Sequence, residues 1–145
     1  MVSKNVLIQY SDLQEEIKEV RNRIDKTEKE ISKIESDGCV VDSVRGGFGG
    51  IQHYKIVGFP HPEYNRKKTL LYARKATLTS LEMELLEMLN CIEEFIAGVN
   101  DSRMRRIITL RFIDNLSWNE VAKRIGGGNT EDSVKKAFYR FMEKD

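Results

Sequence analysis

The strongest constraint on the fold is a heptad repeat of apolar residues near the start of the chain. Between Val6 and Ile34, apolar side chains recur at alternating spacings of four and three residues, and mostly charged or amide side chains fill the intervening positions. The seam consists of Val6, Tyr10, Leu13, Ile17, Val20, Ile24, Thr27, Ile31 and Ile34, of which only Thr27 is polar. This spacing predicts a coiled-coil helix rather than a helix lying on a broad globular core.

A second seam with the same spacing follows in the middle of the chain. It consists of Leu71, Arg74, Leu78, Leu81, Leu85, Met88, Ile92, Phe95 and Val99, and Arg74 is its one polar member. At a rise of 1.5 Å per residue, each helix is about 40–50 Å long. We therefore predict that residues 1–100 form a long antiparallel helical hairpin.

The second seam is wider than one helix partner requires. Additional apolar residues flank it at Leu70, Tyr72, Leu86, Leu89 and Ile96. We therefore expect a homo-oligomer formed through the coiled-coil helices, with Leu85, Leu89 and Ile92 shared between copies. The alternative is a hairpin that packs only on itself.

A glycine-rich link over residues 38–62 separates the two seams. Gly38 follows the first seam and two prolines precede the second, so we expect both helices to end at this link. Residues 39–44 and 51–57 are rich in β-branched and aromatic side chains, and they flank the glycine-rich run 46–50. This pattern predicts either a small β-hairpin at the tip of the helical hairpin or a mobile loop.

Composition places the chain among soluble, charge-rich proteins. Hydrophobic residues make up 40% of the sequence and charged residues 32%. The sequence has neither an apolar run of about 18 residues nor an N-terminal secretion signal. We therefore predict a mainly all-α, cytoplasmic protein with no membrane association. Cys39 and Cys91 lie far apart, which favours free thiols over a disulfide.

The residue types that support catalysis or metal binding lack the required spacing. The two histidines, His53 and His61, both lie in the link and form no close pair with a cysteine. Neither a zinc site nor a Cys-His or Ser-His-Asp catalytic set is expected. The run Gly126–Gly128 lacks the Lys-Ser/Thr pair of a phosphate-binding loop, which favours a simple turn. We therefore expect a protein that is not an enzyme and needs no cofactor or metal.

Start and stop signals for three short helices follow the second seam. The first helix is expected to begin after an N-cap near Asp101, to run towards Phe112 and to break at 114–115. Ser117 and Glu120 have the spacing of a capping box, which predicts a second helix that ends at the glycine run. Thr130 is expected to cap the third helix.

Two short helices joined by a glycine turn are the elements of a helix-turn-helix. Ala122 permits close approach of the two helices, and Val134 is expected to anchor the second of them. Residues 101–145 also carry 10 Lys and Arg against 7 Asp and Glu. We therefore predict a coiled-coil domain over 1–100 and a domain over 101–145 that places its last helix in the major groove of double-stranded DNA.

The exposed face of that last helix supplies the candidate DNA-binding residues. Residues near its start are expected to lie closest to base edges, whereas Lys136 and Arg140 should meet phosphates. The full set is Asn129, Thr130, Glu131, Ser133, Lys135, Lys136, Tyr139 and Arg140. The alternative for the basic members is a solvated helix surface. Trp118 is expected in the core, with contact to DNA or a protein partner as its alternative.

A resemblance to region four of bacterial sigma factors is carried by the run RIITLRFIDNLSWNEVAKRIG, from Arg106 to Gly126. The whole layout also resembles phage and prophage regulators of the RinA-like and ArpU-like activator type. The resemblance implies a sequence-specific transcription regulator in a bacterial host cell that also contacts host RNA polymerase. One departure is the longer turn from Gly126 to Thr130, where Gly127 replaces the usual apolar turn residue.

Two other functions fit the same elements. A DNA-packaging factor such as a small terminase subunit also combines a helix-turn-helix with a coiled coil, although its DNA-binding part usually comes first. A protein-interaction adaptor would instead use the sigma-like segment to occupy RNA polymerase without reading DNA.

Overall fold

The regular elements of the protein are helices. A computed structural model describes residues 2–42 and 59–144, and these ranges contain no β-strand. The helices are α1 (Lys4–Asp42), α2 (His61–Ala97), α3 (Ser102–Ile108), α4 (Trp118–Ile125) and α5 (Glu131–Glu143), and α3 continues as a π-helix over Thr109–Ile113. The prediction of a mainly all-α fold is confirmed.

Helix α1 is longer than its apolar seam. It continues through Gly38 to Asp42, so the predicted stop at this glycine is wrong. One glycine costs a helix about 1 kcal/mol relative to alanine, which weakens the helix without ending it. Residues 39–42 are therefore helical and not part of a first strand. The rest of the predicted β-hairpin, at 43–58, lies outside the described residues.

The chain divides into two compact units. Unit 1 comprises Met1–Glu16 and Leu81–Asp145, and unit 2 comprises Ile17–Ser80. This division does not follow the predicted boundary at residue 100. The reason is that the apolar sides of α3, α4 and α5 share one core with the first turns of α1 and the last turns of α2.

In unit 2, polar contacts between described side chains join α1 to α2. The α1 partners move from Glu35 to residues 27–28 as the α2 partners rise from Tyr64 to Lys75, so the two helices run antiparallel within this unit. The contacts are Tyr64 Oη to Glu35 Oε2 at 2.8 Å, Lys67 Nζ to Glu30 Oε1 at 3.5 Å, Arg74 Nη1 to Thr27 Oγ1 at 2.6 Å and Lys75 Nζ to Glu28 Oε2 at 3.2 Å.

The two seams differ in how deeply they are buried. Seven of the nine first-seam side chains are buried, from Tyr10 to Ile31. On the second seam, only Leu71, Ile92 and Val99 are buried, and the other members are half-buried. The first seam is therefore the more deeply buried of the two, while the second retains accessible apolar surface.

Unit 1 is built around a continuous apolar core. Its buried members are Val2, Leu7, Tyr10, Ile92, Ile96, Val99, Met104, Ile107, Ile108, Phe112, Trp118, Val121, Ala122, Val134 and Phe138. The rings of Phe112, Trp118 and Phe138 contact one another with centroids 5.1 to 6.2 Å apart. Burying each such side chain contributes about 1.5–3 kcal/mol. The prediction that Trp118 lies in the core is confirmed.

The connection between α3 and α4 is fastened to α1 by Asn115. This residue has a φ of 58°, a left-handed conformation that asparagine adopts more readily than most residues. Its Oδ1 accepts a hydrogen bond from Ser11 Oγ at 2.6 Å, and its Nδ2 donates to Glu15 Oε2 at 2.6 Å. Gln14 Nε2 also donates to the Ile113 carbonyl at 3.0 Å. The chain therefore leaves the helix at the predicted position, 114–115, and the same segment is hydrogen-bonded to α1.

Candidate nucleic-acid interface

Helix α4 begins with the predicted capping box. The Ser117 backbone is extended, and its Oγ accepts the Glu120 amide at 3.2 Å. The Glu120 carboxylate accepts from the Ser117 backbone N–H at 3.5 Å. The backbone N–H groups of Ser117 and Glu120 have no acceptor within the helix, and these two hydrogen bonds satisfy them. The capping box therefore fixes the residue at which α4 begins.

A glycine turn leads from α4 into α5. Gly126, Gly127 and Gly128 have φ values of 72°, 65° and 77°, a region in which a Cβ atom introduces strain. On either side of the turn, Ala122 is 3% exposed and Val134 is fully buried. The small side chain of Ala122 and the anchor residue Val134 therefore both lie in the core, as predicted.

Helix α5 has a second capping box. Thr130 Oγ1 accepts the Ser133 amide at 3.1 Å, and Ser133 Oγ accepts the Thr130 amide at 2.9 Å. The prediction that Thr130 is the N-cap is confirmed. However, the hydroxyls of Thr130 and Ser133 are both used to hold the start of the helix. In this conformation they position the first turn of α5.

Asn129 and Tyr139 also differ from their predicted place on an open face. Asn129 Nδ2 donates to the Gly126 carbonyl at 2.6 Å, and its Oδ1 accepts from Arg103 Nη2 at 2.7 Å, so this side chain closes the turn. Tyr139 is half-buried against Trp118, and Lys4 Nζ lies 4.8 Å from its ring centroid. Both residues are held by tertiary contacts that helical periodicity does not reveal.

Fewer side chains of α5 than predicted are therefore available to a ligand, and the available ones carry charges of both signs. We call the charged, exposed residues Glu131, Asp132, Lys135, Lys136 and Arg140 the α5 face; Ser133 and Glu143 of this helix are exposed as well. Its two carboxylates lie in the first turn of the helix, where the helix dipole favours negative charge. Its three cations lie further along the same helix.

Sequence reasoning missed a second group of cations, on α3 and at the end of α4. Arg103 reaches Asn129, the residue before the α5 cap. Arg106 Nη2 donates to the Arg124 carbonyl at 3.1 Å, which joins α3 to the last turn of α4. The signal in the sequence is the cluster of three arginines around Met104, whose side chain is buried.

The described part of the chain offers little support for other kinds of site. Within residues 2–42 and 59–144, no three His, Cys, Asp or Glu side chains are grouped to hold a metal ion. None of the helices there combines the length and the apolar character that crossing a membrane requires. No family model, no curated protein and no solved structure matches the chain.

Proposed function

We propose that the protein is a sequence-specific, double-stranded DNA-binding transcription regulator of phage or prophage type. In this proposal α4 and α5 form the helix-turn-helix, and α1 and α2 form the coiled-coil hairpin that supports it. The observation that carries the proposal is the burial pattern of α5, which has one buried side and one exposed side. Val134 and Phe138 anchor it in the core, and the α5 face is exposed.

The dimensions and charges of α5 suit a major groove. Its 13 residues give a length of about 20 Å, and the groove of B-DNA is about 12 Å wide. Lys136 and Arg140 supply cations for phosphate oxygens. Glu131, in the first turn, supplies an acceptor for the exocyclic amino group of cytosine. We therefore assign sequence readout to the first turn and backbone contact to the later turns.

A contact with host RNA polymerase is a further part of the proposal and rests on the resemblance to sigma-factor region four. The two rival functions make different demands. A packaging factor also needs the α5 face to bind DNA, but it acts without a promoter. An adaptor needs polymerase and leaves the α5 face without DNA.

We also propose that the protein is a homo-oligomer, with a different set of shared residues. Ile92 is fully buried in the core of unit 1, so it cannot be shared between copies as predicted. Leu85 and Leu89 are half-buried against the same core. Met83 and Leu86, by contrast, are 61% and 59% exposed. These two side chains are the apolar residues of unit 1 best placed to contact a second copy.

The deciding experiment is selection of random duplex DNA by the purified protein, followed by sequencing of the retained fragments. We expect one enriched motif, and placing that motif upstream of a reporter should change transcription in a bacterial host. Recovery of fragments without any shared motif would contradict sequence-specific regulation. Capture of RNA polymerase by a protein that retains no DNA would instead favour the adaptor.

A further inference from the structure

Unit 1 contains a cationic cavity that the α5 face does not use. Its volume is about 420 Å³. It is lined by Ile96, Ser102, Arg105, Arg106, Thr109, Leu110 and Arg124, and none of these residues is acidic. We call it the arginine pocket. Three positive charges around one cavity repel one another, so the arrangement favours an anionic ligand.

Two of the three guanidinium groups are held in place by neutral acceptors. Arg105 Nη1 donates to the Val99 carbonyl at 2.5 Å, and Arg106 Nη2 donates to the Arg124 carbonyl at 3.1 Å. In the ranges that the structure describes, no carboxylate forms an ion pair with any of the three arginines. A guanidinium carries five N–H donors, so each group retains donors for a ligand.

The chemistry of the pocket matches a sugar-phosphate group. Arginine binds phosphate oxygens with two parallel N–H donors, and the hydroxyls of Ser102 and Thr109 add neutral donors. The side chains of Ile96 and Leu110 provide an apolar wall suited to the carbon face of a deoxyribose. Arg106 and Arg124 are exposed, so an extended polymer can reach them.

The position of the pocket connects it to the start of α5. Arg106 joins α3 to the end of α4, and Arg103, one helical turn earlier, binds Asn129 immediately before the α5 cap. We propose that the arginine pocket holds a backbone phosphate of the duplex whose major groove receives α5. This inference rests on the proposed function and adds a second, sequence-independent contact to it. A small phosphate compound free in solution offers the same chemistry as a DNA phosphate, and the pyrophosphate titration below distinguishes the two.

The test is the salt dependence of duplex binding by Arg106→Gln/Arg124→Gln. Glutamine removes the positive charge and keeps a polar side chain that can donate hydrogen bonds, and an unchanged thermal midpoint verifies the fold. We expect weaker binding to all duplexes with the same order of sequence preference. The slope of log Kd against log salt concentration should fall by about one to two units, because each phosphate that the protein no longer neutralises lowers it by about one.

The matched control is Lys26→Gln/Lys33→Gln, which removes the same charge from exposed positions of α1 in unit 2. This variant should keep the wild-type slope. If the pocket variant also keeps the wild-type slope while Lys136→Ala/Arg140→Ala reduces it, the pocket inference is wrong and the proposed function stands. A lowered slope in the Lys26/Lys33 control would equally overturn the assignment to the pocket.

A titration with inorganic pyrophosphate, followed by the NMR signals of the arginine Nε–Hε groups, separates the two sources of phosphate. Pyrophosphate that perturbs Arg105, Arg106 and Arg124, combined with an unchanged duplex slope in the pocket variant, would assign the pocket to a free phosphate compound and overturn the DNA assignment. If the wild type binds no duplex, the proposed function fails on its own. The titration then decides whether the pocket binds anions, and unperturbed arginine signals would exclude that as well.

Discussion

Ser117 shows how one side chain can fix the start of a helix. Its Oγ accepts the Glu120 amide, which otherwise has no acceptor in the first turn of α4. We expect Ser117→Ala to lower the free energy of unfolding by about 0.5–2 kcal/mol. Ser117→Asp should retain most of the wild-type free energy of unfolding, because aspartate supplies an equivalent acceptor. Equal denaturant midpoints for the wild type and the alanine variant would show that this cap is not formed in solution.

Tyr10 is a residue-scale test of the unit 1 core. Burial raises the pKa of this phenol above 10.0, a hydrogen bond with Gln14 opposes the shift, and the Glu93 carboxylate adds to it. The folded state therefore holds the proton more tightly than the unfolded state. Stability is fully present below the unfolded pKa and falls as the pH rises through the raised one. Unfolding measured from about pH 9 to 11 should show this loss in the wild type and a smaller loss in Tyr10→Phe.

At the scale of elements, α5 separates affinity from sequence preference. Lys136→Ala/Arg140→Ala should weaken binding to all duplexes alike and reduce the salt slope by about two units. Glu131→Gln should change the preferred sequence instead, because it alters an acceptor in the first turn. Lys26→Ala/Lys33→Ala is the charge-matched control. Wild-type affinity and slope in the α5 double variant would remove α5 from the interface and leave the adaptor as the remaining explanation.

Ser133 carries the clearest revision to the sequence-based site. This residue, near the start of α5, was expected to lie close to base edges, but its hydroxyl completes the Thr130 capping box. We therefore expect Ser133→Ala to lower the thermal midpoint and to weaken binding without changing the preferred motif. Selection of duplex DNA with both proteins measures this. A changed motif would show that Ser133 leaves the cap and contacts bases.

Elements defined by neighbours in the sequence were the most predictable. The caps at Ser117 and Thr130 need only residues three positions away, and the seams need only a repeat. The roles of Asn129 and Tyr139 depend on Arg103 and Lys4, which are distant in the sequence. For the same reason, periodicity did not identify the arginine pocket, because α3 and α4 contribute to it together.

At the scale of the whole molecule, the accessible apolar residues of α2 test assembly. Met83→Glu/Leu86→Glu should convert an oligomer into a monomer in sedimentation at micromolar concentration, because each apolar side chain loses about 1.5–3 kcal/mol of burial. Asn5→Glu/Gln9→Glu adds the same charge at exposed positions of α1 and should leave the assembly unchanged. A wild-type protein that sediments as a monomer would rule out the oligomer and leave the self-packed hairpin.

Thr27 and Arg74, the one polar residue of each seam, contact each other. Thr27 is 1% exposed, and its Oγ1 donates to the Arg23 carbonyl and accepts from Arg74 Nη1. Sliding one helix by a heptad would break this hydrogen bond and leave the half-buried guanidinium of Arg74 facing apolar residues, which is unfavourable because a charged group that loses water needs a polar partner. Alignment in unit 2 is thus set by the helices themselves. The alignment of α1 and α2 in unit 2 is therefore expected to tolerate a change in the number of residues that connect the two helices.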